Sequence, residues 1–244
     1  FHYGKAQYIG AHTILSYVRV IRIPAFYLLI LAIALSPRAL YARDVSIGLF
    51  FHQPNVHYDE MSGEARGPLI DYLNAVFSHM GYTAHIRVLP IVRLFRELRE
   101  GTLDAAADLS WAPEREEFLL YADKPSLLIP SYLAVRSDSP LFEVKSPREL
   151  SGKTIGFLSG AAAGNFFLDA KDIRFEYVSG DSWVLMNLLK LISGRIDAAL
   201  DQNPWSYRVE AIKLGIEDRI RLIELPSTPT GFYVVFSRKA ANAE

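Results

Sequence analysis

The segment DLSWAPEREEFLLYADKP, Asp108 to Pro125, sets a carboxylate, a hydroxyl and a guanidinium close together at Asp108, Ser110 and Arg115. Of these, Arg115 is the one that could hold an anion. Arginine grips a carboxylate through two parallel hydrogen bonds, a geometry lysine cannot copy. Local physics also permits a plainer role. Pro113 is a good first helical residue, and Glu114, Glu116 and Glu117 suit the positive end of a helix dipole. There Arg115 would be half of a surface ion pair worth under ~1 kcal/mol. The alternative puts Arg115 just beyond the carboxyl end of the strand bearing Ser110, where open α/β sheets bind ligands.

Other candidates are weaker on chemistry alone. Arg93 begins a helix after Pro90, where a cation opposes the dipole unless a ligand or a carboxylate offsets it. The small-residue turn from Ser159 to Ala163 would offer backbone N–H groups at a helix start, a place that favours anions. His52 and His57, near Asp59 and Glu60, match neither one helix face nor a zinc spacing, so no metal is expected. SGKT at Ser151 to Thr154 is not a phosphate loop, because Pro147 stands where that motif needs glycine and the segment precedes its strand. GFLSGAAAG lacks G-x-S-x-G, so Ser159 has no nucleophile elbow.

Composition narrows the classes further. A formal charge of −1 over 244 residues gives no basic field for nucleic acid. The absence of cysteine removes thiolate catalysis, Cys-ligated zinc and iron–sulfur clusters. Arg19 and Arg22 precede an apolar stretch from Ile23 to Leu35 and small residues up to Ala42, the pattern of a secretory signal peptide. The stretch is shorter than the roughly 20 residues a spanning helix needs. Residues 1–42 are therefore expected to be leader and signal peptide, with a true start near Val18 and a secreted, periplasmic product.

From Asp44 onward short apolar strands alternate with amphipathic helices, which predicts an α/β fold. Strands are expected at Val45 to Phe51, within TAHIRVLP and LDAAADLS, at Ser131 to Asp138 and at Thr154 to Leu158, then in IRFEYVS and IDAALD. Helical spacing of Leu69, Ile70, Leu73, Val76, Phe77 and Met80 ends at Gly81, and a second helix carrying Leu94, Phe95 and Leu98 ends at Gly101. Ser146, Pro147 and Glu149 form a capping-box pattern for a short helix. GAAAGNFFLD reads as a loop entering a helix, and SWVLMNLLKLISG as a strongly amphipathic one. Two such α/β units without a low-complexity linker predict two lobes joined by strands: 43–134, 135–228, and a returning strand in 229–244.

The order of GPLIDYL, LFRELREGTLDAAADLSWAPEREEFLLYADKP, SPRELSGKTIGFLSGAAAGNFF and LLKLISGRIDAALDQNPW resembles the bacterial extracellular solute-binding proteins of family 3 over roughly Asp44 to Lys239. These are amino-acid-binding members of the type II periplasmic binding proteins. The resemblance implies a two-lobed fold with a hinge, no cofactor, a small-molecule ligand, an ABC permease as partner and a monomeric chain. It implies that Arg115 grips the ligand carboxylate, helped by Ser110 and by N–H groups of Ser159, Gly160, Ala161 and Ala162. Asp108, Phe51, Arg93 and Gln202 would complete the cleft. Departures matter: Ala161 and Ala162 stand where threonines are frequent, and the acidic residue for an α-amino group falls on Gln202, with Asp201 one position early. That pattern leaves an amino acid or a related organic anion as ligand. Further helices are usual after the strand matching GFYVVFSRK, whereas this sequence stops at Glu244. The same fold also carries sensory domains of membrane-anchored signalling proteins, and a few periplasmic dehydratases for which Asp108 or Asp201 would be the acid.

Overall fold

The computed structural model describes residues 43–240 apart from Glu60 and Asp169. The expected leader and signal peptide, and residues 241–244, lie outside the described residues. In chain order, β1 (Arg43–Leu49) is followed by a small ribbon of β2 (His57–Tyr58) and β3 (Ala65–Arg66), then α1 (Pro68–His79), β4 (Tyr82–Val88), α2 (Ile91–Glu100) and β5 (Ala105–Ser110). After β6 (Leu119–Tyr121) and β7 (Leu127–Ile129) come β8 (Tyr132–Arg136), β9 (Thr154–Leu158), β10 (Arg174–Val178), α3 (Trp183–Ile192), β11 (Ala198–Asp201), α4 (Pro204–Lys213), β12 (Ile220–Glu224) and β13 (Thr230–Ser237).

The strands form two larger sheets. One has the order β4-β1-β5-β13-β6 with β7 also on β13; the other has the order β10-β9-β11-β8-β12. β1, β4 and β5 run parallel in the first sheet and β9, β10 and β11 in the second, whereas β8 lies antiparallel to β11 and β12, and β13 returns antiparallel to β5, β6 and β7. The chain leaves the first sheet after Ile129 and enters the second at Tyr132, so the expected lobe boundary between 134 and 135 falls inside β8. A boundary there would split one hydrogen-bonded strand, since Leu133, Ala134 and Val135 all pair with β11.

Strand β5 shows why its sequence is apolar throughout. Its two faces serve different cores: Ala105 and Ala107 pack with Ile47, Leu49, Leu73 and Phe77, whereas Ala106 and, past a shift in register, Leu109 pack with Leu94, Leu98 and Leu103. Side chains alternate across a strand, so a central strand covered on both faces loses the polar alternation of a half-exposed one. The second sheet is covered likewise: Leu188 and Leu191 of α3 pack on Ala134 and Ala199, and Phe157, Leu133 and Leu200 build the opposite core.

The capping box is present in sequence around Pro147–Leu150, and its reach-back half is formed: the Glu149 carboxylate accepts the Ser146 N–H at 3.1 Å. One expected element differs. GNFFLD forms only a 3-10 turn at Asn165–Phe167. The turn is pinned by its aromatic residues, with Phe167 5.4 Å from Phe175 between ring centroids, and it is too short to carry a helix dipole.

Gly101 ends α2 in the left-handed region at φ 80°, and a Cβ there would lie 2.6 Å from the Lys239 carbonyl oxygen. A left-handed non-glycine residue costs about 1–2 kcal/mol before any clash. Gly101→Ala is expected to lower unfolding stability by at least ~2 kcal/mol in urea titrations; an unchanged midpoint would contradict this packing of the return strand's end on α2.

Candidate functional site

Carboxyl ends of strands from both sheets converge on one cavity. β5 brings Asp108, Ser110 and, just beyond, Arg115; the turn after β1 brings Phe50, His52 and Asn55; the second sheet brings Leu158, Ala161, Ala162, Asp201 and Gln202. Phe157, Trp183, Ile91 and Phe232 supply apolar wall. Its interior is small, about 40 Å³, as expected of a cleft whose two sides are already in contact.

Arg115 is only 6 % exposed. It donates to the Ser110 carbonyl at 2.7 Å and to the Gly160 carbonyl at 3.0 Å, joining the end of β5 to the turn that follows β9. Its guanidinium lies 4.4 Å from the centre of the Phe95 ring, a stacking arrangement that suits arginine. No carboxylate pairs with it among the described residues. Burial lowers its pKa, against opposing contributions from Tyr121 and Glu114. Two of the five N–H donors of a guanidinium are thus placed on carbonyls.

Asp108 is aimed by a backbone irregularity. Tyr233 pairs with Leu109 but Val235 pairs with Ala106, so β5 carries one more residue than β13 across this step. Such a bulge bends a strand and redirects a side chain. Within it Asp108 has φ 61°, left-handed geometry that aspartate tolerates better than most residues. Its Oδ2 lies 2.5 Å from Nε2 of His52. His52 is itself buried, stacks on Phe50 at 4.6 Å, and has Nδ1 3.3 Å from the Phe50 carbonyl. Burial opposes its charge, but Asp108, the Phe50 carbonyl and Asp201 together outweigh that and raise its pKa above the ordinary 6.5. Stability from this pairing is therefore full below pH 6.5 and lost as pH rises through the higher folded value.

Asp201 ends β11, 8 % exposed, and its Oδ2 has no hydrogen-bond partner. Burial pushes its pKa up to about 7, against Ser206, His52 and the Asn203 and Gln202 amides, which favour the ionised form. Gln202 also lines the cavity and donates to the Ala162 carbonyl at 3.0 Å. The one-position offset read in the sequence thus does not send Asp201 away. The ladder stops at Asp201, and strict alternation stops with it.

Asp108, Ser110, Arg115, Ala161, Ala162 and Gln202 therefore meet around the cavity. Gly160 touches the site through its carbonyl, not its N–H. Ser159 and Ala161 direct their N–H groups to Val178 and Leu158 carbonyls, so the expected amide cradle is partly closed within the loop's own turn and sheet. Phe51 is absent from the cavity wall: its ring stacks on Tyr58 at 5.7 Å, and Phe50 takes the inward position. Arg93 points to Glu97 at 2.8 Å, a carboxylate shared with Arg87 at 2.7 Å, and does not line the cavity. Arg93 thus meets its carboxylate four residues along its own helix. His57 faces the Pro54 carbonyl at 3.2 Å, and no group of three or more potential metal ligands occurs among the described residues. Phe50, Trp183 and Asn203 were not singled out by sequence; strand ends hide which neighbour turns inward.

The family model for bacterial extracellular solute-binding proteins, family 3, matches residues 45–210. The chain belongs to that family. Its members bind solutes outside the cytoplasm and are not enzymes. The fold is that of type II periplasmic binding proteins, as three solved structures illustrate. The substrate binding protein of an amino acid ABC transporter is 17 % identical, with TM-score 0.66, 82 % of this chain and 86 % of that chain covered. Holo ArgBP from T. maritima is 19 % identical, with TM-score 0.65 and coverage of 80 % and 83 %. An arginine 3rd transport system periplasmic binding protein from Legionella pneumophila is 18 % identical, with TM-score 0.65 and coverage of 81 % and 87 %. No curated protein matches the sequence.

Two expectations test the geometry of this solute-binding protein. Arg93→Ala should cost roughly 1 kcal/mol of stability, because half-exposed Arg93 leaves the buried Glu97 carboxylate with Arg87 as partner, and leave solute affinity unchanged by titration calorimetry; a large loss of affinity would return Arg93 to the cleft. Asp108→Asn should drop the His52 pKa below 6.5, because burial then acts with little opposition. Histidine resonances followed through a pH titration read this directly, and an unmoved pKa would contradict the pairing.

Proposed function

We propose that the protein captures a small amino-bearing carboxylate in the periplasm and presents it to an ABC permease. The observation that carries the reading is Arg115, a buried guanidinium at the meeting of two sheets whose partners are carbonyls rather than a carboxylate. A buried cation without an anion is unfavourable, and a ligand carboxylate is the group its planar fork fits best. Ser110 lies beside it, and Asp201 across the cavity offers an unpartnered oxygen to an ammonium group. The apolar wall of Phe50, Ile91, Phe157, Trp183 and Phe232 suits an uncharged remainder.

The sheets act as two lobes, joined at 130–131 and by the segment between β12 and β13. A solute enters when they part and, by touching both, favours the closed population. Arg115 then exchanges the Gly160 carbonyl for the stronger acceptor. Transport rather than sensing is supported by the family and by the transporter names of its structural relatives.

A thermal-shift screen of amino acids and of the corresponding deaminated acids, followed by calorimetry, tests this. Arg115→Ala should weaken binding about 100-fold or more, since hydrogen bonds to a charged group contribute about 1.5–3 kcal/mol each. Arg115→Lys should recover little of it, lacking the bidentate fork. Unchanged affinity in both variants would remove Arg115 from the site.

A further inference from the structure

We propose that Asn203 is a positioning residue for capture: it latches the two lobes through the Gln53 carbonyl, so that a closed population exists before a solute arrives and every solute is held more tightly by one common factor. The latch joins lobe to lobe and stands whether or not Arg115 holds a carboxylate.

The turn after β1 presents two carbonyls to the starts of two helices of the second lobe. Gln53 accepts from Asn203 Nδ2 at 3.0 Å and from Ser206 Oγ at 3.1 Å, which uses both lone pairs of one carbonyl. Phe51 accepts from Trp183 Nε1 at 3.4 Å. Each side is built before the two meet. On the turn, His52 and Val56 exchange backbone hydrogen bonds at 3.1 and 2.9 Å, and the His52 ring is held by Asp108. On the other lobe, Asn203 caps α4: its Oδ1 accepts the Trp205 N–H at 3.0 Å, which leaves Nδ2 to cross to Gln53. The Trp183 ring lies edge-on to Tyr207, 5.9 Å between centroids. Donors and acceptors fixed in this way lose little freedom on meeting.

These contacts differ in kind from that of Arg115. A solute carboxylate would displace the Gly160 carbonyl from Arg115, whereas the Gln53 and Phe51 carbonyls keep their donors with or without a solute. Asn203 lines the cavity, but both polar atoms of its carboxamide are engaged by protein. All the latch groups are neutral, and opening returns donors and acceptors to water, so each bond shifts the balance only about fivefold. Closure is favoured and still reversible. The larger the share of receptor already closed, the less the apparent affinity is reduced below that of the closed form.

The test uses the full chain, whose sequence has no cysteine, with spin labels on Asn74→Cys in α1 and Leu189→Cys in α3, both exposed positions. Without solute, electron–electron distance measurements should show a population at the separation of this structure beside a longer one. Asn203→Ser keeps a capping oxygen for the Trp205 N–H and removes the donor that crosses the cleft. It should lower the closed-to-open ratio about fivefold with circular dichroism unchanged. Ser206→Ala, read by distance alone because Ser206 also bears on Asp201, should move the distribution the same way. By calorimetry, Asn203→Ser should weaken L-leucine and L-phenylalanine equally, by up to about fivefold. A wild type that is fully open without solute, or a distribution unmoved in either variant, would overturn the latch. Weakening of one amino acid and not the other would overturn it too, because Asn203 would then act on the solute itself. Should neither amino acid bind, the reading of the solute fails while the solute-free distances still decide the latch.

Discussion

A guanidinium held out of water between two sheets is the interaction on which the arrangement turns. Arg115 follows the end of β5, stacks on Phe95, and reaches the Ser110 carbonyl of the first sheet and the Gly160 carbonyl in the turn after β9. Carbonyls compensate a buried cation only in part; on the reading proposed above, the contact holds the cleft together yet yields to a solute carboxylate. That combination is what a receptor needs, because closure must be possible yet must gain free energy from the solute.

The rest of the site follows from where parallel strands end. β1, β5, β9 and β11 all deliver their carboxyl ends to the cavity, which is the general position of ligands in open α/β sheets. The bulge at Asp108 turns one carboxylate onto His52, which engages one of its oxygens at the cavity wall. Asp201 remains as the uncommitted acid. Charge in the cavity thus resolves into one internal pair, one cation and one acid, a pattern that fits a zwitterion better than a dicarboxylate.

Much of this was legible in the sequence where periodicity or cap chemistry acts. The strand at Thr154–Leu158, the helices closed by Gly81 and Gly101, and the resemblance to the solute-binding family carried through. Asp108, Ser110 and Arg115 share one cavity because two end β5 and the third lies just beyond it, an order the sequence shows directly. The losses share a cause. Phe51 for Phe50, Gln202 without Asp201, and the missing helix after Gly164 all fall where a ladder stops or a loop begins, and there direction is set by tertiary packing rather than by period. Arg93 was misplaced because a sequence shows a cation at a helix start but not which carboxylate, Glu97, folds back onto it. The bulge could not be read at all, since it exists only as a mismatch between β5 and a strand more than a hundred residues later.

A crystal structure of the full chain with L-leucine or L-phenylalanine bound would test the central claim most directly. The account predicts the solute carboxylate in bidentate contact with Arg115, within about 3 Å, with the Gly160 carbonyl released and the ammonium group on Asp201. A solute bound with its carboxylate elsewhere, and Arg115 still on Ser110 and Gly160, would contradict it.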